Sequence, residues 1–259
     1  MPTSFKEKLA AGQLVKIFAV GRIPSVVIVD LFGLAGGFDG FWIDQEHTGL
    51  PYEHVQSLAL AARANDMDCF VRMAPANYAL VTQNLEAGAG GVMAARIESA
   101  QHAEEFVQWA KFAPRGNRGL NVGGRDANYT HKTAVQFAAD ANREQLVAIQ
   151  IETARALAEA DQIAAIDGVD LLFVGPADLS QALGVLGQLN HEKVWEGYRH
   201  VAAACRKHGK HWGTVAATPE FGERALELGC RMISPTFDVA ALRRGIDDVK
   251  RAHTKLFAS

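Results

Sequence analysis

Eight short apolar runs, each followed by a longer stretch with helical spacing, recur roughly every thirty residues along this 259-residue chain. The runs are Val15–Val20, Gly40–Asp44, Cys69–Arg72, Gly91–Ala94, Leu146–Gln150, Leu171–Val174, Trp212–Val215 and Met232–Ser234. Between them, Tyr52–Asn65, Gln101–Lys111, Thr153–Ile163 and Trp195–His208 repeat apolar residues at helical intervals. Pro51 after Gly49, the Thr218-Pro219-Glu220 triplet and Gly209 punctuate helix ends. Strict alternation of strand and helix predicts an α/β fold, a (β/α)8 TIM barrel formed as a single domain over residues 1–259. A doubly wound open sheet is the second reading, weakened because no Rossmann glycine fingerprint follows any of the runs. The polar, glycine-rich stretch 117–140 is expected to be a long loop over one end of the barrel.

Composition narrows the functional classes. A net charge of -3 and 21% charged residues disfavour nucleic acid or an anionic membrane as partner. No apolar run reaches the roughly 18 residues of a membrane span. The first eighteen residues lack a basic-then-apolar leader with a cleavage site. Cys69, Cys205 and Cys230 fit neither a disulfide framework nor a zinc motif, so reduced thiols and a cytoplasmic location are expected.

Chemistry gathers where the strands end. The second run, in GFDGFWIDQEHTGL, stops abruptly at Asp44, Glu46 and His47. Titratable groups so placed are costly to bury, and the C-terminal edge of a parallel sheet is where ligands bind. The third run ends in Arg72, the fifth in Gln150-Ile151-Glu152, and the sixth enters Gly175-Pro176-Ala177-Asp178. Singly, each has a structural reading: Asp178 as a helix cap, Arg72 as an ion-pair partner, His47 as a rim residue. In a barrel, however, all of them converge on one mouth. Glu152 and Asp178 then form a plausible pair of oxygen ligands for a divalent cation. The Gly175–Ala177 backbone can offer amides to a carboxylate, Arg72 a permanent cation, and His47 proton transfer near neutrality.

The segments FDGFWIDQEH, GAGGVMAARIESAQHAEEFVQWAKFAPRGNRGL, IQIETARAL and GVDLLFVGPADLSQALGVLGQLNH resemble the HpcH/HpaI aldolase/citrate lyase family. The resemblance spans roughly Val15 to Gly245, nearly the whole chain. It implies a class II pyruvate aldolase on a TIM barrel, assembled as a homo-oligomer, a hexamer in the family. By the same resemblance Glu152 and Asp178 are the ligands of Mg²⁺, Mn²⁺ or Co²⁺, Arg72 steadies the enolate and His47 is the acid/base residue. Glu86 stands where the family commonly has the aspartate that assists the histidine. Gln150, Gly175, Pro176 and Ala177 are substrate contacts and Asp44 a support. Trp42, Leu120 and Val215 are expected to border the site. Ala95 replaces a frequent family proline, and WGTVAATPEF after the seventh run matches poorly, where a substrate tail would lie.

The expected reaction is reversible cleavage of a 4-hydroxy-2-oxo acid into pyruvate and an aldehyde. No lysine at a strand end suggests a Schiff base instead. Two other classes remain open: an acyl-CoA lyase of the citryl- or malyl-CoA type, with Arg115, Arg118 and Arg125 as phosphate contacts, and a non-catalytic barrel that binds an oxo acid.

Overall fold

In the computed structural model, which describes residues 3–216 and 218–257, eight parallel strands close into a barrel with sequential neighbours paired and β1 beside β8. They are β1 (Val15–Val20), β2 (Gly40–Asp44), β3 (Asp68–Met73), β4 (Gly91–Ala94), β5 (Leu146–Ile151), β6 (Leu171–Val174), β7 (His211–Val215) and β8 (Met232–Ser234). Each lies within one residue of the run that predicted it. The strands are buried on both faces, which is why they read as continuous apolar runs and not as alternating ones.

Among the described residues, thirteen helical segments surround the strands. α1 (Phe5–Ala10) precedes β1, and α2 (Val26–Ala35), α3 (Tyr52–Ala64) and α4 (Tyr78–Glu86) follow the first three strands. α5 (Ala100–Ala110) and α6 (Ala134–Glu144) lie between β4 and β5. α7 (Ala154–Ala158) and α8 (Ala160–Ala165) follow β5; α9 (Pro176–Ala182) and α10 (Glu192–Lys207) follow β6. α11 (Pro219–Glu227) follows β7, and α12 (Asp238–Ala252) and α13 (Thr254–Phe257) close the chain. Thr218 caps α11 as its sequence signature predicts, its hydroxyl accepting from Phe221 N–H.

Two expectations need correction. The periodic stretch 153–163 is broken at Glu159, whose carboxylate accepts a hydrogen bond from Ala100 N–H (2.7 Å) and ties the break to the start of α5. The expected loop 117–140 ends early, because Thr133 and Gln136 form a reciprocal capping box that starts α6 at Ala134.

Two apolar shells hold the fold. Ile17, Trp42, Phe70, Met93, Leu171, Phe173 and Met232 fill the barrel, and a larger cluster packs between strands and helices. α1 plugs the base: Phe5 meets Phe70 edge-on at 5.9 Å, and its N–H donates to Asp68 Oδ2 (2.9 Å). At the periphery, α12 buries only Asp238 and leaves Leu242, Ile246 and Val249 about half exposed. Beside it α2 exposes Val27, Leu31 and Leu34, and an apolar groove of about 750 Å³ runs between the two helices. Among the described residues, no helix is long and apolar enough to cross a membrane.

Candidate active site at the mouth of the barrel

Strand register puts the charged strand ends side by side. Asp44 pairs with Arg72 across β2 and β3, and Val215 with Ser234 across β7 and β8. Side chains alternate along a strand, so Arg72 shares the inward face with Phe70, and Asp44 with Trp42. Both aromatic rings belong to the barrel interior, and the half-buried Val215 packs against the same cluster.

Arg72 is the best-held side chain of the mouth. Its Nη2 lies 2.8 Å from Asp44 Oδ2 and its Nε donates to Asp44 Oδ1 (3.2 Å), a fork engaged on both sides. Nη1 stands 3.3 Å from Glu46 Oε2, and the guanidinium carbon lies 4.4 Å from the centre of the Trp42 ring. A buried cation clamped in one plane cannot rotate away from its task. Asp44 works twice: its Oδ1 also accepts from the backbone N–H of Glu46 (3.1 Å) and His47 (3.2 Å). That is the local reason for so dense a titratable cluster after β2: one carboxylate both orients Arg72 and caps the turn that carries His47.

Across the mouth, Glu152 is buried directly after β5. Its Oε1 accepts from Arg96 N–H (2.7 Å), and its Oε2 accepts from Gln150 Nε2. Burial pushes its pKa up, and the negative charges of Glu46 and Asp178 push the same way, against the Arg96 hydrogen bond and the Arg72 charge. Gly175 leaves the necessary room: a Cβ there would stand 2.8 Å from Gln150 Nε2 and 2.9 Å from Glu152 Oε2. The half-exposed Asp178 occupies the first turn of α9, whose cap is Gly175; the capping role considered for Asp178 is therefore not what it does. Pro176 is buried at the first helical position and Ala177 is exposed.

The donor chemistry suits a hard divalent cation. Glu152 and Asp178 supply oxygen, their charges oppose one another, and the buried Gln150 Oε1 has no hydrogen-bond partner among the described residues. Among the described residues no group of three or more histidine, cysteine or carboxylate residues is placed to hold a metal ion, so water and substrate would supply the positions beyond these two carboxylates.

The other expected residues are less tightly gathered. His47 sits on the rim, more than half exposed, its Nε2 3.8 Å from Glu46 Oε2. Glu86 ends α4, at the opposite end of that helix from the mouth; its carboxylate accepts from Asn121 Nδ2 (2.9 Å) and its carbonyl from Arg125 N–H (2.9 Å). A single chain thus gives Glu86 to the segment after α5 and not to His47. Leu120 is exposed in that same segment. Ala217, in the poorly matching stretch after β7, lies outside the described residues. Sequence reasoning noted Glu46 in the cluster without assigning it a task, although its position between Asp44 and His47 was the signal. The Arg96 amide has no side-chain signature at all; Arg96 adopts a left-handed φ of 57° that turns its N–H toward Glu152.

The chain is similar to known proteins along nearly its whole length. The sequence model described as HpcH/HpaI aldolase/citrate lyase matches residues 34–244. The 5-keto-4-deoxy-D-glucarate aldolase of Klebsiella pneumoniae is 29% identical over 98% of this chain and 98% of its own. That of Salmonella paratyphi C is 30% identical over 93% of each. A crystal structure of an HpcH/HpaI aldolase from Desulfitobacterium hafniense superposes with a TM-score of 0.89 at 31% identity, covering 96% of this chain and 97% of that one.

Proposed function

The chain belongs to the HpcH/HpaI aldolase/citrate lyase family and is an enzyme of that family, and from this premise we propose that it is a class II pyruvate aldolase, cleaving 4-hydroxy-2-oxo acids reversibly to pyruvate and an aldehyde. The observation that carries the reading is the Arg72 guanidinium locked by Asp44 and Glu46 at the mouth that also holds the buried Glu152. The relatives' substrate, 5-keto-4-deoxy-D-glucarate, is itself a 4-hydroxy-2-oxo acid when numbered from the ketone end.

Glu152 and Asp178 would hold Mg²⁺, Mn²⁺ or Co²⁺, which when bound supplies a Lewis acid for the 2-oxo group. The chain's own residues do the rest. The first-turn amides of α9 at Ala177 and Asp178 have no intrahelical acceptor and face the substrate carboxylate. The bare Cα of Gly175 lets Gln150 and Glu152 pack directly against the start of α9. His47 takes the proton of the C4 hydroxyl, the C3–C4 bond breaks, and Arg72 balances the charge that develops on the enolate oxygen. Because its fork is fixed beforehand by Asp44, that stabilisation costs little reorganisation. Val215 and Trp42 form the apolar wall toward the aldehyde end.

Glu86 reaches this scheme only from a neighbouring copy, so we read the enzyme as a homo-oligomer, a hexamer by family resemblance, in which Glu86 of one copy assists His47 of the next. The unpartnered apolar faces of α2 and α12 support assembly. Three buried thiols fit a cytoplasmic enzyme.

The CoA-ester reading loses support from two of its three expected contacts, while Arg125, without an ion pair among the described residues, lines the cavity at the base. Arg115 is engaged by Glu104 (2.7 Å), and Arg118 is buried against Asp126 (2.5 Å). Both follow α5, on the side of the barrel away from the mouth. Pyruvate release from 4-hydroxy-2-oxoheptanedioate and a shorter homologue, run beside malyl-CoA and citryl-CoA, tests the choice. The aldolase reading expects turnover of the free acids alone; turnover confined to the thioesters would replace it with the lyase.

A further inference from the structure

We propose that the base of the barrel, opposite the mouth, carries a second ligand site: an oxyanion pocket formed by Arg63 and Arg125 that takes a phosphate group. A cavity of about 470 Å³ opens there, lined by the last turn of α3, the Gly88–Gly90 turn into β4 and the segment 125–132.

Two features set its arginines apart. Arg63 donates from Nη2 to Gly88 O (2.7 Å), while its Nη1 is buried with no hydrogen-bond partner among the described residues. Arg125 donates from Nη1 to Asn128 Oδ1 (2.6 Å). Neither forms an ion pair with a carboxylate among the described residues, although acids line the same cavity. Each of those acids is engaged elsewhere. Glu7 is tied to Ser4 in a capping box, and Asp68 accepts from the N–H groups of Phe5 and Cys69. Asp126 is paired with Arg118, and Glu144 with Arg143. The cavity therefore keeps two guanidiniums that no carboxylate grips directly; Asp68, on the same wall, acts on Arg63 only from a distance.

Gly88 makes their approach possible. Its φ of +106° suits glycine, and a Cβ there would stand 2.9 Å from Arg125 Cγ and 3.0 Å from Arg63 Nη1. Burial and the Arg125 charge together hold the Arg63 pKa below its ordinary value, the direction a bound anion would reverse. Two planar forks at one wall offer several charged N–H donors at once, which suits a tetrahedral dianion with four acceptor oxygens. The volume exceeds what phosphate alone fills, so the phosphate group of a small ester is accommodated as well as the free ion.

The test is calorimetric titration of the full-length protein with inorganic phosphate in chloride buffers of matched ionic strength. The wild type is expected to bind one phosphate per chain. Arg125→Met should weaken binding about tenfold or more, the loss of a charge-assisted donor pair, whereas Arg72→Met at the mouth should leave it unchanged. Arg63→Lys, which keeps the charge and removes the fork, gives the same weakening if Arg125→Met proves poorly folded. Glycerol 3-phosphate in place of phosphate separates the sources: tighter binding assigns the pocket to an ester, weaker binding to the free ion, and either supports the site. No saturable binding by the wild type, or binding lost in Arg72→Met and kept in Arg125→Met, overturns the proposal.

Discussion

At the mouth, Arg72 meets Asp44 and Glu46 within 3.3 Å and stacks over Trp42; at the base, Arg63 and Arg125 converge on a cavity whose acids are all engaged elsewhere. The same residue type serves two ends of one barrel in different states. A cation held by carboxylates is oriented and partly neutralised, which suits it to answer charge that appears only during a reaction. Cations that no carboxylate grips directly are suited to hold an anion that stays. The base also carries the plug, Phe5 and Leu9, both buried.

That separation can be broken by mutation. The largest effect is expected at the plug: Phe5→Ala should cost about 3–5 kcal/mol of unfolding free energy in denaturant titration while leaving kcat/KM of the folded fraction near the parent value. A comparable fall in kcat/KM would show that base and mouth are not independent. At the mouth, Arg72→Ala should lower kcat by about 10²–10³ with unchanged circular dichroism, as removal of a preorganised charge donor does. Arg72→Lys should recover little of it, because an ammonium cannot reproduce the fork on Asp44. Recovery above half the parent rate would reduce Arg72 to a point charge.

Gly175→Ala should raise KM about tenfold, since the new methyl stands within 3 Å of Gln150 and Glu152. A neutral outcome would mean that the positions of Gln150 and Glu152 do not govern substrate binding. The smallest effect is a pH dependence of stability. Burial pushes the Cys69, Cys205 and Cys230 thiols from 9.0 up to about 12, so the folded state keeps their protons longer than the unfolded chain does. Their contribution is complete below about pH 9 and is lost as pH rises toward 12. Lys111, buried near the base and pushed from 10.5 down to about 8, acts in the opposite sense: keeping it charged costs stability below pH 8, and the cost is relieved between 8 and 10.5. Three thiols outweigh one lysine, so stability should fall above pH 9, with a shallower slope in Cys205→Ala.

The mouth was far more legible in the sequence than the base, and the physical reason is register. A strand of period two that ends in a charged residue points it at a place known in advance, so Asp44, Arg72, Gln150 and Glu152 could be read together from three separate segments. The base pocket depends on how a turn-rich segment folds back under α3 and α4, which no periodicity encodes; Arg125 looked like one more loop arginine. Glu86 was visible as a motif position, yet its place was not: within one chain this helix end lies far from the mouth and engages Asn121 and Arg125. The half-exposed apolar face of α12 raises the same issue: its pattern is that of a packed helix, and a single chain does not say against what.

The measurement that bears most directly on the central claim is pyruvate release from 4-hydroxy-2-oxoheptanedioate by metal-stripped protein, before and after Mg²⁺ or Mn²⁺ is restored, in the wild type and in Glu152→Gln. A metal-dependent aldolase centred on Glu152 and Asp178 should fall silent on stripping, recover on restoration, and show at least a hundredfold lower rate in the folded variant at every cation concentration. Turnover that persists in chelator, or a Glu152→Gln protein as fast as the parent, would contradict it.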